Sequence, residues 1–155
     1  MTQATVATGH HFALCIPDLR SRKKDTALTE MVKAARELGV VADSELLLDL
    51  LKHRERLGNT GLGKGIAVPQ ARSSTVLIPR VIVARSPRGI EWGATDETPV
   101  ILTMLVLAPA EWSNDAYFGL IARTASATRL QRNRQKLMDA RSLDAFGAAW
   151  REAAS

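Results

Sequence analysis

The sequence contains very little of what builds disulfides, aromatic cores or membrane spans. Its single cysteine, Cys15, excludes an intramolecular disulfide and is compatible with a reducing cytoplasm. Aromatic residues make up only 5% of the chain, so aliphatic side chains must form most of the core. The longest apolar run, residues 100–108, is far shorter than the roughly 20 residues that a membrane helix needs. Residues 1–10 lack the basic and then apolar order of a secretory signal, and we expect them to be a flexible lead-in.

What is present describes an ordinary globular domain. The chain has 155 residues, of which 46% are apolar and 24% charged. This composition excludes global disorder and predicts one domain, over residues 11–155. The formal net charge of +5 raises the hypothesis of a nucleic-acid partner.

Hydrophobic periodicity alternates between strand and helix patterns along the chain. The helical segments are 25–38, 43–57, 115–126, 129–140 and 143–150, and the second carries a leucine-rich face. Asp25 and Ser142 are predicted helix caps. The strand-like runs are 12–16, 66–68, 80–85, 90–92 and 100–107, with a turn at 87–89. The last run is nearly all apolar, as in a central strand that helices cover on both faces, so the pattern predicts an α/β fold.

The glycine-rich segment after the second helix does not have the context of a nucleotide-binding loop. Gly58, Gly63 and Lys64 match part of a phosphate-binding motif, but Gly65 replaces its Ser or Thr. The segment also leads from a helix into a strand, which is the reverse of the required order. His53 has no Cys or second His at ligand spacing. The residues therefore predict no metal site and no cofactor.

A basic cluster follows in the later helical segments, at Arg129, Arg132, Arg134, Lys136 and Arg141. No aromatic residue lies between Phe118 and Phe146, although interleaved aromatics would favour a nucleic-acid surface. The cluster is interpreted as a solvated helix face, and its role stays open.

Residues 52–72, KHRERLGNTGLGKGIAVPQAR, resemble the signature of the type-2 enzyme IIA domains of the phosphoenolpyruvate-dependent sugar phosphotransferase system. The mannitol, fructose and nitrogen-regulatory IIA proteins belong to this family. The matching segments are Arg54-Glu55, residues 60–63, residues 65–69 and, outside the signature, residues 24–28, 89–92, Asp96 and 99–100. The resemblance covers roughly residues 12–152. It implies a single-layer mixed β-sheet flanked by helices, as in the mannitol and nitrogen-regulatory domains.

The sequence departs from this family at the residue that matters most. The family's phospho-acceptor histidine follows the proline of the signature, and Gln70 stands there. Tyr117 aligns with a second family histidine. A carboxamide nitrogen is conjugated to its carbonyl and has no free lone pair, so Gln70 cannot form a transferable phosphoramidate. The resemblance implies a pseudo-active site without an intact catalytic residue, formed by Arg54, Glu55, Thr60, Gly65, Gln70 and Tyr117.

The leading hypothesis is therefore a cytoplasmic IIA-like regulatory module that binds a protein partner and does not carry phosphate. The resemblance implies a partner such as an HPr-like carrier, a regulated kinase, a transporter or a transcription factor, and leaves a homodimer open. One alternative is an active carrier that uses His53, or an engineered His-to-Gln form of an active IIA protein. Another is a nucleic-acid-binding protein.

Overall fold

Seven strands and five helices form the part of the chain that the computed structural model describes, residues 4–8 and 11–155. The strands are β1 (Ala4–Thr8), β2 (His11–Ile16), β3 (Gly61–Gly63), β4 (Ile66–Ala67), β5 (Gln70–Ser73), β6 (Arg80–Ile90) and β7 (Val100–Pro109). The helices are α1 (Lys24–Glu37), α2 (Ser44–Leu57), α3 (Asn114–Ala127), α4 (Gln131–Asp139) and α5 (Leu143–Ala154). None of these helices has both the length and the apolar content to cross a membrane.

The strands form one mixed sheet in the order β1-β2-β6-β7-β4-β3. Strand β7 pairs with β6 in antiparallel fashion along one edge. Along its other edge it pairs in parallel with β4, at Ile66 and Leu102, and then with β5, at Gln70 and Val106. The predicted single-layer mixed sheet with flanking helices is confirmed. This topology places the start of β5 next to the centre of the sheet.

Two hydrophobic cores cover the two faces of the sheet. Leu105 and Leu107 of β7 face the core that includes α1 and α2, whereas Met104 and Val106 face the core that includes α3 and α5. All four side chains are fully buried. The apolar run at 100–107 is therefore a central strand covered on both faces, as predicted.

Three of the five helices begin at a side-chain cap. The carboxylate of Asp43 accepts a hydrogen bond from the Leu46 amide at 3.0 Å, and the hydroxyl of Ser142 accepts one from the Ala145 amide at 3.0 Å. Ser113 caps α3 in the same way. The predicted cap at Asp25 is wrong, since α1 begins at Lys24, Asp25 lies inside its first turn, and the N-cap residue, Lys23, makes no side-chain cap.

The N-terminal segment contains a strand where the sequence predicts a flexible lead-in. Ala4–Thr8 forms β1 and pairs with β2 in antiparallel fashion, because β2 would otherwise leave one edge of its backbone unpaired. Residues 1–3 and 9–10 of the predicted lead-in lie outside the described residues. Cys15 of β2 is fully buried, and burial raises the pKa of its thiol to about 12.

The leucines of α2 do not share one buried face. Leu47 and Leu51 are buried, but Leu46, Leu50 and Leu57 are exposed to 43%, 36% and 73%. The five leucines do lie on one side of α2, as the predicted leucine-rich face requires, but at about 100° per residue they span about 140° of the helix. The sheet covers only part of that span, so only part of the leucine-rich face is buried.

Strand β6 runs unbroken through the segment predicted to be a turn. The register between β6 and β7 shifts between Arg85 and Ile90, and Gly89 adopts a positive φ of 81°. This irregularity of the ladder takes up Pro87, which has no amide proton to donate, without ending the strand.

Candidate functional site

The buried carboxylate of Glu55 positions the loop between α2 and β4 through hydrogen bonds. Glu55 is 8% exposed and accepts hydrogen bonds from the Thr60 amide, the Thr60 hydroxyl and the Trp92 indole. Lys24 lies 3.9 Å from the same carboxylate. A buried carboxylate needs this many partners to offset its lost hydration. Glu55 and Thr60 therefore position the loop.

The β3–β4 turn depends on backbone conformations that favour glycine. Gly63 and Gly65 have φ values of 85° and 82°, and Lys64 between them also lies in the left-handed region, at 57°. A Cβ on Gly65 would lie 3.0 Å from Cγ1 of Ile101. Asp96 accepts a hydrogen bond from the Lys64 amide at 2.9 Å and so holds the strained residue. Gly65 accordingly serves the backbone of the site.

Gln70 opens β5 at the end of this segment and is half-buried. Its side-chain nitrogen, Nε2, donates to the carbonyl oxygen of Val68. Its side-chain oxygen, Oε1, accepts from Nη2 of Arg54 at 3.4 Å. Both ends of the carboxamide are thus engaged. The polar tip of Gln70 is fixed toward the end of α2.

Arg54 connects the end of α2 to the loop and to Gln70. Its Nη1 donates to the Gly58 carbonyl at 2.6 Å, while Nη2 contacts Gln70. Among the described residues, Arg54 forms no ion pair with a carboxylate. Its charge is therefore available to an anion or to an acidic group of a partner.

A second arginine, which is not among the residues of the predicted site, completes the cluster. Arg72 lies two residues after Gln70, and alternation along β5 directs both side chains to the same face of the sheet. Its guanidinium donates to the Trp112 carbonyl at 3.0 Å and to Asn114 Oδ1 at 2.8 Å. It also lies 4.9 Å from the centre of the Tyr117 ring. The strand alternation after Gln70 is the signal that could have identified Arg72.

Tyr117 forms the α3 side of the cluster and is 8% exposed. Burial raises the pKa of its hydroxyl to about 12, and the charges of Arg72 and Arg54 act in the opposite direction. The hydroxyl is consequently protonated at neutral pH. Tyr117 does not supply a general base there.

The titration of Tyr117 tests this placement, since Tyr117 is the only tyrosine. We expect tyrosinate absorbance of the folded chain to show a midpoint near pH 12, against about 10 for the unfolded chain. The unfolded state releases its proton first. The associated stability is therefore present below pH 10 and is lost as the pH rises toward 12.

Arg54→Met should raise the midpoint further, because it removes a cation that favours tyrosinate. Arg56→Met is the matched control, as Arg56 is an exposed arginine near the same end of α2. An equal shift in the two variants, or a midpoint near the ordinary value in the folded wild type, would contradict the assignment.

The predicted site residues divide into two groups. Arg54, Gln70 and Tyr117 come together with Arg72, whereas Glu55, Thr60 and Gly65 shape the loop that supports them. His53 is exposed and lies one helical position from Arg54, about 100° around α2. Among the described residues, no group of three or more His, Cys, Asp and Glu side chains is arranged to hold a metal ion.

Exposed apolar side chains are present on the helices that carry this cluster. Leu57 lies three residues after Arg54 on α2 and is 73% exposed. Phe118 follows Tyr117 on α3, is 57% exposed, and has its ring 5.5 Å from the tyrosine ring. Exposed apolar groups beside unpaired cations are typical of a protein-docking surface.

A protein-family model for "Phosphoenolpyruvate-dependent sugar phosphotransferase system, EIIA 2" matches residues 13–149. The nitrogen regulatory protein of Bradyrhizobium diazoefficiens is 32% identical over 131 residues, which are 84% of each chain. The fructose-specific EIIABC component of Bacillus subtilis is 27% identical over 129 residues. That match covers 83% of this chain but only 20% of the Bacillus protein, so the chain spans about a fifth of that relative.

Solved structures with a similar fold also include a nitrogen regulatory protein. The crystal structure of the nitrogen regulatory protein IIA-Ntr from Neisseria meningitidis superimposes with a TM-score of 0.79 and 25% sequence identity. The match covers 88% of this chain and 92% of the Neisseria chain.

Proposed function

The chain belongs to the EIIA type-2 family of the phosphoenolpyruvate-dependent sugar phosphotransferase system, and from this premise we propose that it is a regulatory member that binds a protein partner without carrying phosphate. It acts in the cytoplasm and stays permanently in the unphosphorylated form, which a histidine-bearing relative adopts only part of the time. The observation that carries the proposal is Gln70, a carboxamide held between Arg54 and Val68 at the start of β5.

The chemistry of the clustered side chains supports the loss of transfer. Phosphoryl transfer to nitrogen needs a localised lone pair, which an imidazole offers near neutral pH and a carboxamide does not. Tyr117 keeps its proton because its pKa is about 12. Arg54 and Arg72 are permanently cationic and are not nucleophiles. These four side chains retain the means to attract an anion but lack an acceptor atom.

The surroundings of Gln70 favour recognition of another protein. Beyond its contacts with Val68 and Arg54, the carboxamide has a second N–H and a second oxygen lone pair to offer a partner, at a reach similar to that of a neutral histidine. Leu57 and Phe118 add exposed apolar surface nearby. The partner is a protein of the kind that the family's regulatory members engage, namely an HPr-like carrier, a kinase, a transporter or a transcription factor.

The test is incubation of the wild-type chain with phosphoenolpyruvate, enzyme I and HPr, followed by intact-mass measurement. We expect no gain of phosphoryl mass under conditions in which a histidine-bearing IIA protein is fully phosphorylated. A stoichiometric gain in the wild-type chain would overturn the proposal. Repeating the assay with His53→Ala would then decide whether the exposed histidine of α2 is the acceptor.

A further inference from the structure

A broad groove lies between α3, α4 and α5, on the sheet face opposite α1 and α2. Arg123 and Ser126 of α3 line one side, Arg132 and Lys136 of α4 another, and the end of α5 closes it. Its volume is about 1240 Å³. Small-molecule sites typically enclose about 300 to 1000 Å³. The groove is larger than this range, and most of its charged lining is exposed, which suits an extended occupant.

The charges of the groove are strongly one-sided. Five cationic side chains and one carboxylate line it: Arg123, Arg129, Arg132, Lys136, Arg151 and Glu152. Only Lys136 among these cations pairs with a carboxylate in the described residues, at 2.7 Å from Glu152. That contact and the nearby Arg132 lower the pKa of Glu152. Four arginines are left for an acidic occupant.

The groove is not the basic cluster that the sequence indicates. Arg134 does not line the groove. Its guanidinium instead donates to the carbonyls of Thr128 and Arg129 at 2.8 Å and caps the end of α3. Arg141 lies instead in a separate cavity with Asp18 and Arg85. Arg123 and Arg151, from outside the cluster, replace them. Helix packing has thus concentrated charge that is spread along the sequence.

The uncharged lining is mostly apolar, with Ser126, Asn133 and Ser155 as its polar members, and contains no aromatic ring. Ala122, Leu130, Ala153 and Ala154 contribute to it, and Leu130 is 40% exposed. Single-stranded nucleic acids gain much of their affinity by stacking bases on aromatic side chains, which this lining lacks. An apolar surface with a cationic rim instead complements an amphipathic segment with apolar residues on one side and carboxylates on the other.

We propose that the α3–α4–α5 groove is a second docking surface, separate from the Gln70 cluster, and that it binds an acidic amphipathic segment of a protein partner. The arginines of the rim pair with the carboxylates of the segment, and Leu130 contacts its apolar side. The inference does not depend on whether Gln70 has abolished phosphoryl transfer.

The probe is a fluorescein-labelled synthetic peptide with leucines on one helical face and glutamates on the other, titrated by anisotropy at physiological ionic strength. We expect Arg129→Gln/Arg132→Gln to weaken binding about tenfold, which is about 1.4 kcal/mol, because two exposed ion pairs are lost. Leu130→Ser should also weaken binding. All three residues are exposed, so the variants should fold.

The matched control is Lys33→Gln/Arg36→Gln, which removes two exposed charges from α1 on the other face of the sheet. It should bind like the wild type. Equal weakening by both double variants, or no binding by the wild type, would overturn the proposal. Tighter groove-dependent binding of a single-stranded oligonucleotide would overturn it in favour of a nucleic-acid partner.

A second measurement distinguishes a failure of peptide binding at the groove from a failure of the proposed loss of phosphoryl transfer. Gln70→His should bind the peptide with unchanged affinity, whatever the phosphorylation assay shows. Amide shifts of the labelled protein on titration should fall on α3, α4 and α5. Shifts confined to the neighbourhood of Gln70 would place the peptide at the other surface and contradict the inference.

Discussion

Gln70→His is expected to turn a chain that gains no phosphoryl group into one that is stoichiometrically phosphorylated by phosphoenolpyruvate, enzyme I and HPr. The substitution restores a localised nitrogen lone pair at the start of β5. Glu55 still holds the loop before residue 70 through its hydrogen bond from Thr60, and Gly65 retains the positive φ that the β3–β4 turn needs. Arg54 contacts residue 70 at 3.4 Å and would stabilise the transferred charge through its guanidinium. Intact-mass spectrometry measures the gain.

Gln70→Asn is the matched control and should remain unphosphorylated, because it keeps a carboxamide. Gln70→His/Arg54→Met should be phosphorylated more slowly than Gln70→His alone. Gain of phosphate by Gln70→Asn would show that another residue accepts it. If Gln70→His gains none beside a fully phosphorylated histidine-bearing IIA protein, the site is no longer shaped for transfer.

Arg85→Met is expected to lower the free energy of unfolding by at least about 3 kcal/mol, because four backbone carbonyls lose their donor and each buried unsatisfied group costs about 1 to 3 kcal/mol. Arg85 is 7% exposed in β6 and lies 5.2 Å from the Phe146 ring. Its Nη1 donates to the carbonyls of Leu137, Met138 and Ala140, at the end of α4.

The same guanidinium donates through Nε to the Pro17 carbonyl at 2.8 Å. The side chain thus joins β6 to the segment after β2 and to the connection between α4 and α5. Methionine fills much of the same volume but donates no hydrogen bond, so the four carbonyls lose their buried partner. Its ion pair with Asp18, at 3.9 Å from an exposed carboxylate, contributes little by comparison.

Urea denaturation checks this expectation. Arg88→Met is the control, since Arg88 is an exposed arginine on the same strand, and it should change the free energy of unfolding by less than about 0.5 kcal/mol. Comparable midpoints for the two variants would mean that the Arg85 hydrogen bonds do not stabilise the fold.

Long and strongly patterned elements were predictable from the sequence. The central strand β7, the helices α1 and α2 and the cap at Ser142 follow from apolar periodicity and cap chemistry within a few residues. The strands β1, β3 and β5 were missed. They are five, three and four residues long, and neighbouring strands define them more than their own alternation does.

The sequence by itself determined that the position after Pro69 carries a carboxamide, and it predicted the mixed sheet that holds it. Only the tertiary structure decided which groups contact it, namely Arg54 and the Val68 carbonyl, and that Arg72 lies against Tyr117 on the same face of the sheet. It also decided that Arg85 contacts Leu137, 52 residues away, and that arginines from three helices share one groove. Periodicity and side-chain chemistry are local properties, whereas contacts between distant residues depend on how helices pack on the sheet, which no local pattern specifies.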